Sequence, residues 1–284
     1  MNAPATASPG RPVEHTVIEA GAKHALVGWG DLWRYRELLG FLAWRDLRVR
    51  YRQTLLGAAW ALLEPFASVI LFTLLFNRLA GFDSDAIPYP LFCYAGVLLW
   101  SFFHRALRTT TVCLVANAAL VTKAYFPRLV LPLSGLLPTL VDFCCALLMF
   151  FVLAAWFGVP VGWPVLTLPF WVLLAALNAM GVGLILASVN VRFRDVSQAV
   201  PFLAQIWMFA TPVAYPLKEI PARWLSLYLL NPMVGVVEGV RWALLPNYDY
   251  SPVLLLPSFI IGFIFLIAGL AWFQHTQRRY ADIV

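Results

Sequence analysis

The chain contains six apolar runs that are each long enough to cross a lipid bilayer. A helix rises about 1.5 Å per residue and the hydrocarbon layer is about 30 Å thick, so a span needs roughly 20 apolar residues. The runs lie near residues 57–77, 90–110, 131–157, 165–189, 197–216 and 252–273. We therefore predict an all-α membrane protein with six transmembrane helices.

The composition excludes a protein whose main solvent is water. Hydrophobic residues make up 62% of the chain and charged residues 12%, whereas about a quarter of the residues in soluble domains are charged. Four cysteines lie in or beside the apolar runs, without the spacing of a metal site or a nearby histidine. We expect them to be small buried hydrophobic residues rather than disulfides or metal ligands: Cys93, Cys113, Cys144 and Cys145.

Basic residues concentrate on one side of the six-span arrangement. Most of the 20 lysines and arginines precede the first run or lie in loops on the same side, which leaves Arg78, Lys218, Arg223 and Arg241 for the other side. Loops rich in lysine and arginine stay in the cytoplasm, so we predict that both termini are cytoplasmic. The basic residues border apolar runs and form no separate soluble domain, which argues against nucleic acid as a partner.

The part of the chain before the first run divides into a tail and an amphipathic helix. Residues 1–31 begin with small, polar and proline-rich sequence and are predicted to be a disordered cytoplasmic tail. Residues 33–52 interleave leucines with arginines, and Arg45, Arg48 and Arg52 fall on one helical stripe. This helix is predicted to lie on the inner membrane surface, where its basic side faces lipid headgroups or a cytoplasmic protein.

Residues 221–245 predict two helices that are too short to span the membrane. Pro221 can begin the first, while Asn231 as the N-cap and Pro232 at the first helical position can begin the second. Both segments are rich in Trp, Leu and Val, so a hairpin surrounded by water is unfavourable. We predict a re-entrant pair of gate helices in the outer leaflet.

Charged residues occur within this apolar framework. Glu64, just before Pro65, and Asp142 fall inside predicted spans, where an unpaired charge costs at least a few kcal/mol. Proton coupling is one explanation, and a polar partner or water near Pro65 is the other. Glu238 and Arg241 lie one helical turn apart in the gate segment, so they can form an ion pair that lowers the cost of burial.

Motifs for nucleotide binding and catalysis are absent from the sequence. A phosphate-binding loop needs a glycine directly before its lysine, but neither Lys23, Lys123 nor Lys218 follows a glycine. The four histidines are scattered and have no metal-site spacing. We therefore expect a transport subunit rather than an enzyme, without a metal or cofactor of its own.

Aromatic residues form 15% of the chain and are the other conspicuous resource. Trp and Tyr at the membrane interfaces account for many of them, because their rings are apolar at one end and polar at the other. The rest are candidates for lining a passage in which flat rings stack on sugar faces. The channel candidates are Trp100, Phe103, Phe202, Trp207, Phe209 and Tyr215. The gate-helix candidates are Trp224, Tyr228, Glu238, Arg241 and Trp242.

Five stretches in a fixed order carry a family resemblance. They are RDLRVRYRQTLLGAAWALLEP at 45–65, LVTKAYFPRLVLPLS at 120–134, NVRFRDV at 190–196, FATPVAYP at 209–216 and NPMVGVVEGVRWALL at 231–245. Together they resemble the permease subunits of type-2 ATP-binding-cassette exporters for O-antigen, capsular and teichoic-acid polysaccharides. The resemblance implies that residues 32–284 form an ABC-2 type transmembrane domain in the bacterial inner membrane.

The resemblance also implies partners. The permease is expected to form a homodimer around a channel, with two copies of a separate ATPase subunit that bind ATP and Mg. Its expected contacts with the ATPase are the helix around 45–52, the segment 117–128 and the loop 191–196. The candidate coupling residues are Arg45, Asp46, Arg48, Arg52, Lys123, Arg128, Arg192, Arg194 and Asp195. Simple retention of positive loops in the cytoplasm also explains the arginines of the last loop, and Lys123 to Arg128 could instead meet the pyrophosphate of a lipid-linked glycan.

The resulting hypothesis is a channel-forming subunit of an ATP-driven exporter of lipid-linked polysaccharide. One alternative is an ABC-2 exporter of a drug or small lipid, which would also use aromatic rings. A second is an ion-coupled secondary transporter, which should show paired repeats and functional midplane charges. A third is a membrane transferase, for which Glu64 and Asp142 would be the only acid/base material.

Overall fold

A computed structural model describes residues 29–52, 59–79, 81, 87–250 and 252–283, and within these ranges the chain is helical without strands. The helices are α1 (Trp29–Arg34), α2 (Arg36–Arg52), α3 (Ala59–Phe72), α4 (Tyr89–Ala116), α5 (Ala118–Lys123), α6 (Val130–Trp156), α7 (Leu168–Arg192), α8 (Val196–Phe209), α9 (Ala222–Leu229), α10 (Pro232–Leu244) and α11 (Leu255–Ile283). A π-helical segment, Thr73–Leu79, continues α3, and a 3₁₀ turn, Trp163–Thr167, precedes α7. Shorter 3₁₀ turns are Leu217–Glu219 and Pro252–Leu254.

A helix occupies each of the six apolar runs. Among the described residues, three helical stretches are long and apolar enough to cross a membrane by length and composition: Val130–Trp156, Trp163–Arg192 and Leu255–Thr276. The predicted fifth span, 197–216, ends earlier, because α8 stops at Phe209. Pro212 and Pro216 follow, and proline supplies no backbone N–H to continue a helix.

The predicted amphipathic helix at 33–52 is divided into α1 and α2 at Tyr35. Residues 29–31, assigned to the tail by the sequence, belong to α1, and residues 1–28 of that predicted tail lie outside the described residues. Helix α2 packs chiefly against α6 and buries Leu42 and Ala43. The apolar side of α2 therefore packs at least partly against the protein itself.

Helix α4 lies at the centre of the fold and contacts α3, α6, α7, α8 and α10. Phe92, Tyr94 and Phe103 on this helix are fully buried. Helices α7 and α11 pack most closely where two glycines meet: a Cβ at Gly181 would lie 2.6 Å from the backbone nitrogen of Leu266, and one at Gly269 would overlap the Gly181 carbonyl. Small residues allow such close backbone approach between membrane helices.

Two of the four cysteines are not buried as predicted. Cys93 and Cys113 are buried, but Cys144 is exposed and Cys145 is partly exposed on α6. Apolar runs of a membrane helix need no protein cover, because lipid is as apolar as the protein core. Burial of each apolar position therefore did not follow from the composition of the run. All four thiols are free.

The two short helices at 221–245 differ in how deeply they pack. The Asn231 side chain accepts a hydrogen bond from the Met233 backbone N–H at 3.0 Å and caps α10, as the sequence predicts. Helix α10 packs against α4, α7 and α11, and most of its residues are buried. Helix α9 contains no buried residue. The pair therefore consists of one embedded helix and one peripheral helix.

Candidate transport surface and coupling contacts

Two of the predicted channel aromatics lie in the protein interior. Trp100 and Phe103 on α4 are buried, and both contact the Trp207 ring of α8 edge to face, with ring centroids 6.3 Å and 5.1 Å apart. Trp100 and Phe103 are core residues in this structure, and their role in lining a channel stays a prediction.

Trp207 has a structural contact of its own. Its indole N–H donates to the Asn231 side-chain oxygen at 3.0 Å, and the Asn231 amide donates to the Thr211 hydroxyl at 2.8 Å. Asn231 therefore joins α8, the turn that follows it and the start of α10. The sequence predicts the N-cap position of Asn231 but does not predict its contacts with Trp207 and Thr211.

The other channel candidates on α8 lie at the protein surface. Phe202 is 68% exposed and Phe209 is 50% exposed, and Leu203 and Ile206 are exposed on the same helix. Half or more of each of these side chains is exposed, although the Phe209 ring also contacts the Phe72 ring of α3, with ring centroids 6.4 Å apart. This exposed face of α8, defined by Phe202, Leu203, Ile206 and Phe209, is the aromatic and aliphatic surface that remains available for a second copy or a passage.

Tyr215 links the turn after α8 to α9. Its hydroxyl donates to the Phe209 carbonyl at 2.8 Å, and the Tyr228 hydroxyl lies 3.2 Å away within hydrogen-bond distance. Because Tyr215 uses its proton on Phe209, Tyr228 is the donor between the two tyrosines. Trp224 on α9 is half exposed, with the Arg223 guanidinium over its ring.

The predicted ion pair between Glu238 and Arg241 is present and buried. The Arg241 guanidinium donates to Glu238 at 2.7 Å and to the Val213 carbonyl at 2.6 Å, and it lies 3.8 Å from the centroid of the Phe92 ring. The Tyr248 hydroxyl donates to the other Glu238 oxygen at 2.6 Å. These contacts join α10 to α4 and to the turn after α8.

Burial raises the pKa of Tyr248 well above its ordinary value, and the Glu238 carboxylate adds to this effect. The phenol therefore keeps its proton and remains a donor to Glu238. Nearby, the Trp242 ring contacts the Trp163 ring edge to face, with ring centroids 5.9 Å apart, and the Tyr250 ring, with ring centroids 6.1 Å apart. Burial also raises the pKa of Tyr250 to about 12.

Most of the candidate coupling residues fall into two groups, which differ in whether they contact other parts of the protein. Arg45 is engaged within the protein, because it donates to the Asn117 side chain at 2.7 Å and pairs with Asp46 at 2.8 Å. It thereby joins α2 to the break between α4 and α5. The second group is exposed and consists of Arg48, Arg52, Lys123, Arg192, Arg194 and Asp195. Arg128 is partly buried.

Asp142 is surrounded by a charged cluster that was not predicted from the sequence. This carboxylate is 4% exposed and accepts hydrogen bonds from Arg50 and Tyr51 on α2 and from Arg105 on α4, the last at 3.2 Å. Arg105 also pairs with Glu64 on α3 at 2.6 Å. The sequence feature that pointed to this cluster is the presence of Arg105, Glu64 and Asp142 within predicted spans, because charged side chains inside a membrane are expected to pair. Within the described ranges, no set of three His, Cys, Asp or Glu side chains could hold a metal ion.

These features define a class of protein. Apolar helices of membrane-spanning length, an exposed aromatic face and charged surfaces at one end describe a helical integral membrane protein. Residues 37–245 match the family described as ABC-2 type transporter, which is more than half of the chain. The chain belongs to the ABC-2 type transporter membrane family.

Relatives share nearly the whole length of the chain. The O-antigen export system permease protein RfbA of Myxococcus xanthus is 32% identical over 260 residues, which cover 89% of this chain and 98% of the relative. An RfbA permease of Klebsiella pneumoniae is 26% identical, with 87% and 95% covered. The polysialic acid transport protein KpsM of Escherichia coli is 28% identical, with 82% and 91% covered.

Proposed function

We propose that this chain is the channel-forming subunit of an ATP-driven exporter that moves a lipid-linked polysaccharide across the bacterial inner membrane. The observation that carries the proposal is its similarity along almost the full chain to permeases named for export of O-antigen and for transport of polysialic acid. Relatives named for capsule polysaccharide export have the same direction of transport and the same class of cargo. Export of a drug or ion-coupled transport has no counterpart among these relatives.

The proposed topology has six spans and both termini in the cytoplasm. Three spans rest on helices of sufficient length and hydropathy, α6, α7 and α11. The other three are α3 with its π-helical continuation, α4 and α8, which occupy the remaining apolar runs. Helices α9 and α10 then lie at the outer leaflet as a re-entrant pair, and the basic loops face the ATPase.

The proposed assembly is a homodimer with two ATPase subunits that bind ATP and Mg. The exposed face of α8 supports this arrangement, because it offers aromatic and aliphatic side chains that the protomer itself leaves uncovered. Two such faces would enclose a passage whose rings stack weakly on sugar faces and so let a polymer slide. The exposed Arg192 ends α7, and the exposed Arg194 and Asp195 lie in the short loop that follows it, which suits contact with a cytoplasmic partner.

In the proposed cycle, closure of the ATPase pair on ATP pushes the cytoplasmic surfaces and separates the two permease copies. The glycan then passes between them while its lipid tail stays in the bilayer. No bond of the substrate is broken. Helix α9, which is tethered through Tyr228 and has no buried residue, is suited to move aside at the outer end.

A deletion strain tests this function. Cells that lack the gene are expected to lose surface polysaccharide and to accumulate lipid-linked polymer on the cytoplasmic side, and a plasmid-borne copy should restore export. Copurification with an ATPase subunit in the same strain tests the partner. Normal amounts of surface polysaccharide in the deletion strain would refute the proposal.

A further inference from the structure

Four charged side chains from four helices form a continuous chain through the protein. Arg50 on α2 and Arg105 on α4 both donate to Asp142 on α6, and Arg105 also donates to Glu64 on α3 at 2.6 Å. Tyr51 adds a third donor to Asp142. This charge chain, Arg50–Asp142–Arg105–Glu64, alternates in sign along its length.

Asp142, the second residue of the charge chain, is buried deep within the protein. Asp142 lies about 18 Å along α6 from its first residue, at about 1.5 Å per residue. Its side chain is 4% exposed. Removing one donor from such a site leaves a charge insufficiently compensated in a poorly polarisable environment. Asp142 therefore holds α2, α4 and α6 together by contacts that are difficult to open.

The Glu64 end of the charge chain is different. The Glu64 side chain is 59% exposed and that of Arg105 is 21% exposed. Among the described residues, one side chain, Arg105, bonds to the Glu64 carboxylate, whereas three side chains donate to the Asp142 carboxylate. A single contact therefore joins α3 to the charge chain, whereas three contacts join α2 and α4 to α6 at Asp142.

We propose that Asp142 clamps α2 to α6 and α4, so that these three helices move as one body in the transport cycle while α3 moves relative to them. The proposal rests on the proposed function in one respect: α2 is taken to receive the displacement from the ATPase. Arg50, Asp142 and Arg105 are positioning residues, because they transmit movement and do not contact cargo. The Arg105–Glu64 pair is the contact that opens.

Distance measurements on spin-labelled complexes test the clamp. The full complex with its ATPase is placed in nanodiscs, in a background that lacks the exposed Cys144 thiol and the partly exposed Cys145 thiol. One label pair joins Val49 on α2 to Leu140 on α6, and the other joins Leu63 on α3 to Arg108 on α4. On ATP binding, the first distance should change by less than about 2 Å and the second by about 5 Å, the scale of a one-turn helix shift.

Two variants extend this measurement. Arg50→Gln removes the charged α2 contact but leaves the Tyr51 hydrogen bond and the Asp142–Arg105 pair, so the α2–α6 distance should change more on ATP binding than it does in the wild type. Asp142→Asn should lower the polymer exported per ATP hydrolysed about tenfold, with basal hydrolysis changed less than about twofold, because only transmission is lost. Asp142→Glu should recover most of this ratio, and Asp249→Asn, which removes an exposed carboxylate, should not alter it.

Each outcome decides the proposal. A wild-type α2–α6 distance that changes as much as the α3–α4 distance would overturn it, as would export and hydrolysis that fall in the same proportion in both Arg50→Gln and Asp142→Asn. If Asp142→Asn does not assemble, the Arg50→Gln distances decide instead. A wild-type complex that hydrolyses ATP without exporting glycan would refute the proposed cargo, while the label distances, which need no cargo, would still test the clamp.

Discussion

Arg241 places a full positive charge in contact with three separate segments of the chain. It bonds to Glu238 on its own helix and to the Val213 carbonyl in the turn after α8, and it lies against the Phe92 ring of α4. A buried pair of this kind gives little net stability compared with apolar residues, but breaking it by removing one partner is costly. At the residue scale, the pair therefore fixes where α10 lies.

We expect Arg241→Met to lower the free energy of unfolding by about 3–5 kcal/mol, because Glu238 is left buried without its cation. The double variant Glu238→Gln with Arg241→Met should recover part of the loss. Thermal unfolding of the detergent-purified protein measures both. Arg223→Met removes an exposed arginine from the neighbouring helix and should stay within about 0.5 kcal/mol of the wild type. A loss of stability in Arg223→Met equal to that in Arg241→Met would contradict the role of the buried ion pair.

Sequence could predict charge pairs only where the partners are close along the chain. Glu238 and Arg241 lie three positions apart on one helix, so their pairing followed from helical spacing. Arg50 and Asp142 lie 92 positions apart, and only the packing of α2 on α6 brings them together. Aromatic residues posed the same difficulty: composition does not distinguish Phe103, which faces neighbouring helices, from Phe202, which faces outward.

At the scale of elements, the positions of the helices followed from the apolar runs because a run of about 20 apolar residues has few alternatives to a membrane helix. The ends were less predictable. Helix α8 ends at Phe209, before a proline-rich turn, and α11 continues to Ile283 beyond its apolar part. The packing of helices depended on single small residues, and this was not visible in the hydrophobic pattern.

Gly181→Ala should lower the stability of the α7–α11 pair by about 1–3 kcal/mol, the usual cost of overpacking. The new Cβ would lie 2.6 Å from the Leu266 backbone nitrogen, and a backbone atom cannot rotate away. The melting temperature in detergent should fall. Gly40→Ala is the matched control, since a Cβ there meets nothing within 4 Å, and Ala favours a helix. A melting temperature unchanged by Gly181→Ala would refute the close approach.

Helix α9 offers a test of local mobility. Tyr228→Phe removes the hydrogen bond to Tyr215, which is worth about 0.5–1.5 kcal/mol, so amide exchange in residues 222–229 should accelerate about two- to tenfold. Exchange in α10 should not change. Tyr250→Phe is the control, because its hydroxyl has no hydrogen-bond partner in the part of the chain that is described. Exchange in α9 that is insensitive to Tyr228→Phe would show that other contacts hold the helix.

At the scale of the whole molecule, two separate regions are held together by buried charged side chains and their hydrogen bonds. In one region, Asn231 and the buried Arg241 pair fix α10 and the turn after α8. Toward the other end, α2, α4 and α6 meet at Asp142, and exposed charges surround the loop at Arg192 to Asp195. The exposed face of α8 lies between these two regions in the sequence and is the surface at which two copies could enclose a passage.

The double variant Phe202→Ala with Phe209→Ala tests this surface in the assembled exporter. Each ring that stacks on passing sugar contributes about 1 kcal/mol, so export should fall about fivefold or more. The folding of the chain should change little, because Phe202 is 68% exposed and Phe209, which also contacts the Phe72 ring, is 50% exposed. Surface glycan per cell and native mass spectrometry of the purified dimer measure the two effects. Phe263→Ala, which removes an exposed ring from α11, should leave export unchanged. Equal loss in both variants would place the passage elsewhere, and loss of the dimer would assign the α8 face to assembly alone.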